Sequence, residues 1–316
     1  MPLPKVLLDV PFPDFLEAVF SDDCELVPWS LIADRDPSLS DVKAILSYSH
    51  TPVGGAEVDA LPALRVVSNY GVGVDHIDVA AVTDRGVPVG NTPGVVDGAT
   101  ADMALALMLA AARNVVEGDR FARGPGFLDL DPGRMLGRDV FGATLGIVGM
   151  GRIGKEVARR AQGFGMRILY FQRRRDEQAE SRLGVRYAPL SQLLSESDFV
   201  TLHVPLTPES RGLLGEAELR AMKPTAFLVN TARGAVVDPE ALSRALAEGW
   251  IAGAALDVTE PEPLPRDHAL LGLPNLVLTP HLGTGTVQTR ERMARMALEN
   301  LRAGLEGSPL PYPVSA

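Results

Sequence analysis

Apolar residues fall in short runs along the first part of the chain, at residues 5–10 (KVLLDV), 44–47, 65–68 and 87–90, with helical or turn-rich stretches between them. Runs this short and this uniformly apolar predict buried strands of a parallel sheet. From Asp102 the sequence DMALALMLAAARNV is rich in strong helix formers and free of Gly and Pro, which predicts a long, largely buried helix linking two domains. A Gly- and Pro-rich, poorly patterned stretch (124–137) follows. At Thr144 a second alternation begins: TLGIVGMG, a helix, RILYF, a helix, FVTLHV, with further strands expected at 226–230, 253–256 and 276–279. From Thr286 the pattern TVQTRERMARMALENLRAGLEG reads as one amphipathic helix with Gly304 and Gly307 near its end, expected to return to the first domain.

The predicted fold is therefore α/β, with two Rossmann-like domains, each a doubly wound parallel sheet. A cofactor domain (100–285) is inserted in a substrate domain (1–99 plus 286–316). The length of 316 residues agrees with two domains, since single cores stop growing at roughly 250–300 residues. No fixed-period repeat or low-complexity tract suggests a solenoid.

Charge narrows the partners. A formal net charge of −10 repels nucleic acid and anionic membranes, so an anionic substrate must be drawn in by a local cluster. The single cysteine, Cys24, excludes an internal disulfide. The start Met-Pro-Leu-Pro-Lys runs into a strand without a secretory leader, and the longest apolar stretch (103–112) is half the ~20 residues a bilayer requires, so a cytoplasmic protein is expected. No metal is expected.

Gly149-Met150-Gly151-Arg152-Ile153-Gly154 has G-x-G-x-x-G spacing, after an apolar strand and before a helix. In that context Gly149 makes the tight turn, Gly151 lets a pyrophosphate approach the backbone, and Gly154 packs helix on strand. The helix N-terminus offers free N–H groups to phosphates. The alternative is a Gly-rich turn with no ligand. At the end of the next strand, where an acidic residue would accept bonds from an NAD ribose, Gln172 stands, followed by Arg173, Arg174 and Arg175. Guanidinium groups suit a 2′-phosphate, which favours NADP(H) over NAD(H). Partial neutralisation of the run by Asp176 and Glu177 would instead leave a solvated basic turn.

Five strings in order, Gly149 to Gly154, LHVPLT (202–207), NTARG (230–234), LDV (256–258) with PEPLP (261–265), and PHLG (280–283), resemble the signatures of the D-2-hydroxyacid dehydrogenase family over nearly the whole chain. Within it the chain is most similar to glyoxylate/hydroxypyruvate reductases, and 2-ketogluconate reductases look similar. The resemblance implies NADPH-dependent reduction of small 2-oxo acids (glyoxylate, hydroxypyruvate, 2-ketogluconate) to D-2-hydroxy acids, in a homodimer joined through the nucleotide domain, with two domains closing over the ligands.

The residue types suit that chemistry. Arg233, permanently charged and planar, can hold the substrate carboxylate and polarise its carbonyl. His281, in a βα loop at the carboxyl ends of the strands, can donate a proton near neutral pH. The resemblance gives Glu262 the role of a carboxylate bonded to the second imidazole nitrogen, fixing the tautomer and favouring the charged ring, with Glu260 as local competitor. His50, His76, His203 and His268 read as structural or exposed. Residues 69–78 (NYGVGVDHID) resemble the family loop whose backbone amides bind the substrate carboxylate, pointing to Val72 and Gly73, although a tight turn would also explain the glycines. Family positions further imply cofactor contacts at Thr100, Val204, Thr231, Asp257 and Gly283.

Two rivals remain at this level: oxidation of a formate- or phosphite-like donor on the same fold, and an NAD(H)-sensing corepressor that binds without turnover. The intact Arg233, Glu262 and His281 set with its Pro-rich loop disfavours the first, and Gln172 with three arginines disfavours the second.

Overall fold

The structure, a computed structural model, describes residues 2–49 and 51–315, so the reading of His50 falls outside the described residues. Two compact units divide the chain. The first contains residues up to Val96 and from Gly285 onward, and the second, inserted between them, is Asp97–Thr284.

In the first unit β1 (Lys5–Leu8), β2 (Glu25–Pro28), β3 (Val42–Ser47), β4 (Val66–Asn69) and β5 (Val89–Gly90) form a parallel sheet in the order β2-β1-β3-β4-β5. The order is that of a doubly wound sheet. β2 was not evident from the pattern because this edge strand ends in Pro28 and neither end is buried, so it lacks a continuous apolar run. The helix Val287–Glu306 starts where Thr286 accepts a bond from the Thr289 amide, and ends at Gly307 in the left-handed region (φ +75°). Its Met293, Ala294, Ala297 and Leu301 are buried in the same core as Val6, Ala44 and Val66 of the sheet, and Ser68 of β4 donates to the Ala297 carbonyl at 2.9 Å.

In the second unit β6 (Thr144–Val148), β7 (Arg167–Phe171), β8 (Arg186–Tyr187), β9 (Phe199–Leu202), β10 (Phe227–Asn230), β11 (Gly253–Leu256) and β12 (Leu276–Leu278) form a parallel sheet in the order β12-β11-β10-β9-β6-β7-β8. The chain reverses direction across the sheet between β6 and β9, which places the ligand crevice of such a fold at their carboxyl ends. The two-residue β8 is too short to leave a period in the sequence. The helix predicted from Asp102 begins five residues earlier, as Asp97–Ala112. Gly98 argues against helix locally, but Thr100 and Ala101 are buried, and Asp97 sits favourably in the first turn; packing overrides propensity there. No single helix among the described residues is long and apolar enough to cross a membrane.

Candidate active site

The glycine turn lies at the crevice between β6 and β9. Gly149 has φ +100°, and a Cβ there would lie 2.4 Å from the His203 carbonyl oxygen after β9; a Cβ at Gly154 would lie 2.1 Å from the Gly149 oxygen. Neither position admits a side chain. Gly151 differs: a Cβ there would meet nothing within 4 Å. Its glycine keeps open the volume in front of the first turn of the helix Arg152–Gln162, where a pyrophosphate would lie against free N–H groups. Arg152 pairs with Asp97 at 3.4 Å, and Ile153 packs on the core beneath the turn. Val204 flanks Gly149, and the Thr231 hydroxyl oxygen is buried without a hydrogen-bond partner among the described residues. An orphaned buried hydroxyl beside this crevice fits a bound dinucleotide.

At the end of β7 the arginines separate into two kinds. Arg175 is held by Glu180 through two bonds of 2.7 and 2.6 Å, and Asp176 is taken by Lys155 at 2.7 Å. Arg173 and Arg174 are exposed and form no ion pair among the described residues, while Gln172 donates to the Arg174 carbonyl at 2.6 Å and shapes the turn. Asp176 therefore turns to Lys155 and not to the run, Glu180 takes Arg175, and Arg173 and Arg174 remain as two cations without an ion pair among the described residues. The glycine turn and the unpartnered Thr231 hydroxyl fit a bound nicotinamide dinucleotide.

Arg233 follows β10 in extended conformation (φ −145°). Buried Asn230 ends that strand and sets the turn: its amide donates to the Arg233 carbonyl at 2.9 Å, and its oxygen accepts from the Ala232 amide at 3.0 Å. One Arg233 Nη donates to the Ala232 carbonyl at 2.8 Å. The next residue, Gly234, has no room for a side chain, since a Cβ would lie 2.0 Å from the Thr259 carbonyl carbon. That close approach seats the loop carrying Glu262 against the arginine turn.

His281 Nδ1 lies 3.0 Å from Glu262 Oε1, so Glu262 and not Glu260 is the histidine's carboxylate. His281 is a non-glycine residue in the left-handed region (φ +56°), a conformation that persists only when its surroundings enforce it. Asp257, 1% exposed, enforces it. Its carboxylate accepts from the Thr279 hydroxyl at 2.5 Å, the Leu282 amide at 2.7 Å and the Gly283 amide at 2.6 Å, while its carbonyl takes the His281 amide at 2.9 Å. Asp257, assigned to the cofactor from the resemblance, is therefore tied to protein groups as the clamp of the histidine loop. Sequence reasoning missed that role because its partners, Thr279 to Gly283, are remote in the chain. Gly283 faces Asp257 and Thr100 of the helix Asp97–Ala112.

The other described histidines have local partners. His203 lies partly buried beside the glycine turn, with Nε2 at 2.9 Å from the Thr201 hydroxyl, and its desolvation pushes the imidazole down to about 3. His268 accepts the Leu270 amide at 3.2 Å as a cap. His76 Nε2 lies 3.0 Å from the buried Ser47 hydroxyl. In the first unit, Val72 and Gly73 lie in the loop after β4, and their N–H groups donate to no acceptor among the described residues.

A family model described as "D-isomer specific 2-hydroxyacid dehydrogenase, NAD binding domain" matches residues 105–283. The chain is 56% identical over 274 residues to the glyoxylate reductase of Korarchaeum cryptofilum, covering 86% of this chain and 82% of that one. It is 46% identical over 319 residues to the glyoxylate reductase of Pyrococcus furiosus, covering 98% and 94%. Among solved structures, the NADPH-dependent glyoxylate/hydroxypyruvate reductase of Sinorhizobium meliloti, in complex with NADP and malonate, superposes with a TM-score of 0.87 at 32% identity, covering 99% of this chain and 97% of that one.

Proposed function

As the chain belongs to the D-isomer specific 2-hydroxyacid dehydrogenase family and so reduces 2-oxo acids, we propose that it does so with NADPH, acting on glyoxylate, hydroxypyruvate and 2-ketogluconate to yield D-2-hydroxy acids. The observation that carries this reading is the Glu262–His281 pair at 3.0 Å, with His281 itself in the left-handed conformation. The carboxylate accepts the Nδ1 proton, which fixes the tautomer and assigns proton delivery to Nε2. Arg233 anchors the substrate carboxylate and polarises the carbonyl, and its charge opposes the negative charge that develops on the carbonyl oxygen. Bound NADPH supplies the hydride. The amides of Val72 and Gly73 receive the substrate carboxylate.

Arg173 and Arg174, exposed and without ion pairs among the described residues, support recognition of a 2′-phosphate. The Sinorhizobium meliloti relative is likewise NADPH-dependent. A homodimer built through the second unit is supported by Phe127, Leu128, Leu130, Leu136 and Phe141, all exposed within one irregular stretch, the leucines 76% to 88% exposed. Exposed apolar side chains gathered in one segment suit an association surface. Its test is the solution mass of the wild type against Leu128→Asp/Leu130→Asp, which becomes monomeric on this reading.

The deciding experiment is the initial rate of NADPH and, separately, NADH oxidation with glyoxylate, hydroxypyruvate, pyruvate and 2-ketogluconate, with Arg233→Ala as control. Turnover with NADPH that is lost in Arg233→Ala supports the reading. Equal or better turnover with NADH, or an Arg173→Ala/Arg174→Ala variant that keeps the wild-type cofactor ratio, overturns the phosphate assignment.

A further inference from the structure

The loop after β4 carries three consecutive peptide planes whose carbonyls are all hydrogen-bonded within the first unit. Gly71 O accepts from the Asn69 side-chain amide at 3.0 Å and from the Thr92 backbone amide at 3.0 Å. Val72 O accepts from the Asn91 side-chain amide at 2.9 Å. Gly73 O accepts from the same Asn69 amide at 2.9 Å. In a trans peptide the C=O and the following N–H point in opposite directions. Fixing those three oxygens therefore turns the N–H groups of Val72, Gly73 and Val74 the other way, and none of the three donates to an acceptor among the described residues. Successive N–H groups left outward in this manner form an anion-binding concavity.

The two asparagines are themselves held. Asn69 is 1% exposed at the end of β4. A Cβ at Gly71 would lie 3.4 Å from its amide nitrogen, so the loop bends closely over it. The Asn91 backbone is fixed on both sides: its N–H donates to the Tyr312 carbonyl at 3.0 Å, and its carbonyl accepts from the Asn300 amide at 3.0 Å. Asn300 is 0% exposed and its oxygen accepts the Tyr312 amide at 3.1 Å. This frame joins β4, β5, the C-terminal helix and the terminal segment to one loop.

We infer that Asn69 and Asn91 are positioning residues for carboxylate recognition: they orient the amides of Val72, Gly73 and Val74, and through them set affinity for the substrate's carboxylate without touching it. The inference rests on the proposed reduction of a 2-oxo acid, and it concerns binding of the anion and not hydride transfer. A side chain that cannot donate releases a carbonyl and lets its peptide plane rotate: Leu at position 91 frees the Val72 oxygen and Leu at position 69 the Gly73 oxygen, while Gly71 keeps its bond from the Thr92 amide. A plane so freed turns its N–H away from the ligand and its oxygen, which repels a carboxylate, toward it.

Oxamate, a carboxylate that mimics a 2-oxo acid, serves as probe with NADPH-loaded full-length protein. Asn91→Leu and Asn69→Leu are each expected to raise the oxamate dissociation constant and the KM for the 2-oxo acid at least tenfold. The NADPH dissociation constant, read by fluorescence, and kcat at saturating substrate should stay within about threefold. Loss of all these quantities together, with a lowered melting temperature, means a purely structural role and overturns the inference. Should the variants fail to fold, nitrogen-15 spectra of the wild type decide it: oxamate must shift the Val72, Gly73 and Val74 amides, and unmoved resonances refute the assignment. A wild type that binds oxamate but turns over no 2-oxo acid removes the proposed reaction and leaves the carboxylate site standing. Normal turnover with unchanged oxamate affinity in both variants does the reverse.

Discussion

Gly234→Ala tests how the arginine turn and the glutamate loop are held together. The added Cβ would lie 2.0 Å from the Thr259 carbonyl carbon, 2.1 Å from its oxygen and 2.5 Å from the Glu260 nitrogen. Non-bonded carbons meet favourably at roughly 3.5–4.0 Å, so one backbone must retreat by about 1.5 Å. No flexible side chain is there to yield. Glu262 lies two residues beyond the contact, and its 3.0 Å bond to His281 does not survive such a displacement. Overpacking of this kind costs about 1–3 kcal/mol of stability, and a misplacement near 1 Å costs about 10²-fold in turnover. Steady-state kinetics with thermal unfolding and cofactor titration should therefore show kcat/KM down by about 10²-fold in a folded protein that still binds its nicotinamide cofactor. A variant with wild-type kcat/KM would refute the claim that this contact positions Glu262.

Gly151→Ala is the converse: its Cβ enters open space, so stability should be unchanged while affinity for the nicotinamide cofactor falls about tenfold or more, measured by fluorescence titration. Asp257→Asn replaces a three-bond acceptor with a group that cannot accept both amides. It should lose about 1–3 kcal/mol in denaturant unfolding and lower kcat, because the side-chain bonds that help hold His281 in the left-handed conformation are lost. His203 gives a pH dependence. The unfolded chain takes up a proton below the ordinary value of 6.5 while the folded site resists until about 3, so stability is full above 6.5 and declines as pH falls through that window. The decline attributable to this residue reaches about 2 kcal/mol at pH 5, and His203→Asn should flatten the unfolding-versus-pH curve by that amount relative to wild type.

The alternation of short apolar runs with helices was sufficient to specify two doubly wound parallel sheets, because a strand covered on both faces must be apolar throughout. The glycine turn was legible for a related reason: Gly149 and Gly154 answer to backbone contacts a few residues away or across one strand pair. Arg233, Glu262 and His281 could be picked out by their flanking strings, with Glu262 favoured over Glu260. Tertiary structure brings Glu262 to 3.0 Å from the histidine, and the missing side chain of Gly234 lets the two loops pack closely. It also divided the arginine run, since only the fold brings Glu180 to Arg175 and leaves Arg173 and Arg174 unpaired among the described residues. The Asp257 clamp and the Asn69–Asn91 frame left no mark in the pattern, because a side-chain amide or carboxylate that holds a distant backbone has no period and no preferred spacing. The sequence by itself determined the layers and the chemical types at the site. Only the closing of long loops onto one another, with hydrogen bonds between residues far apart in the chain, decided which groups point where.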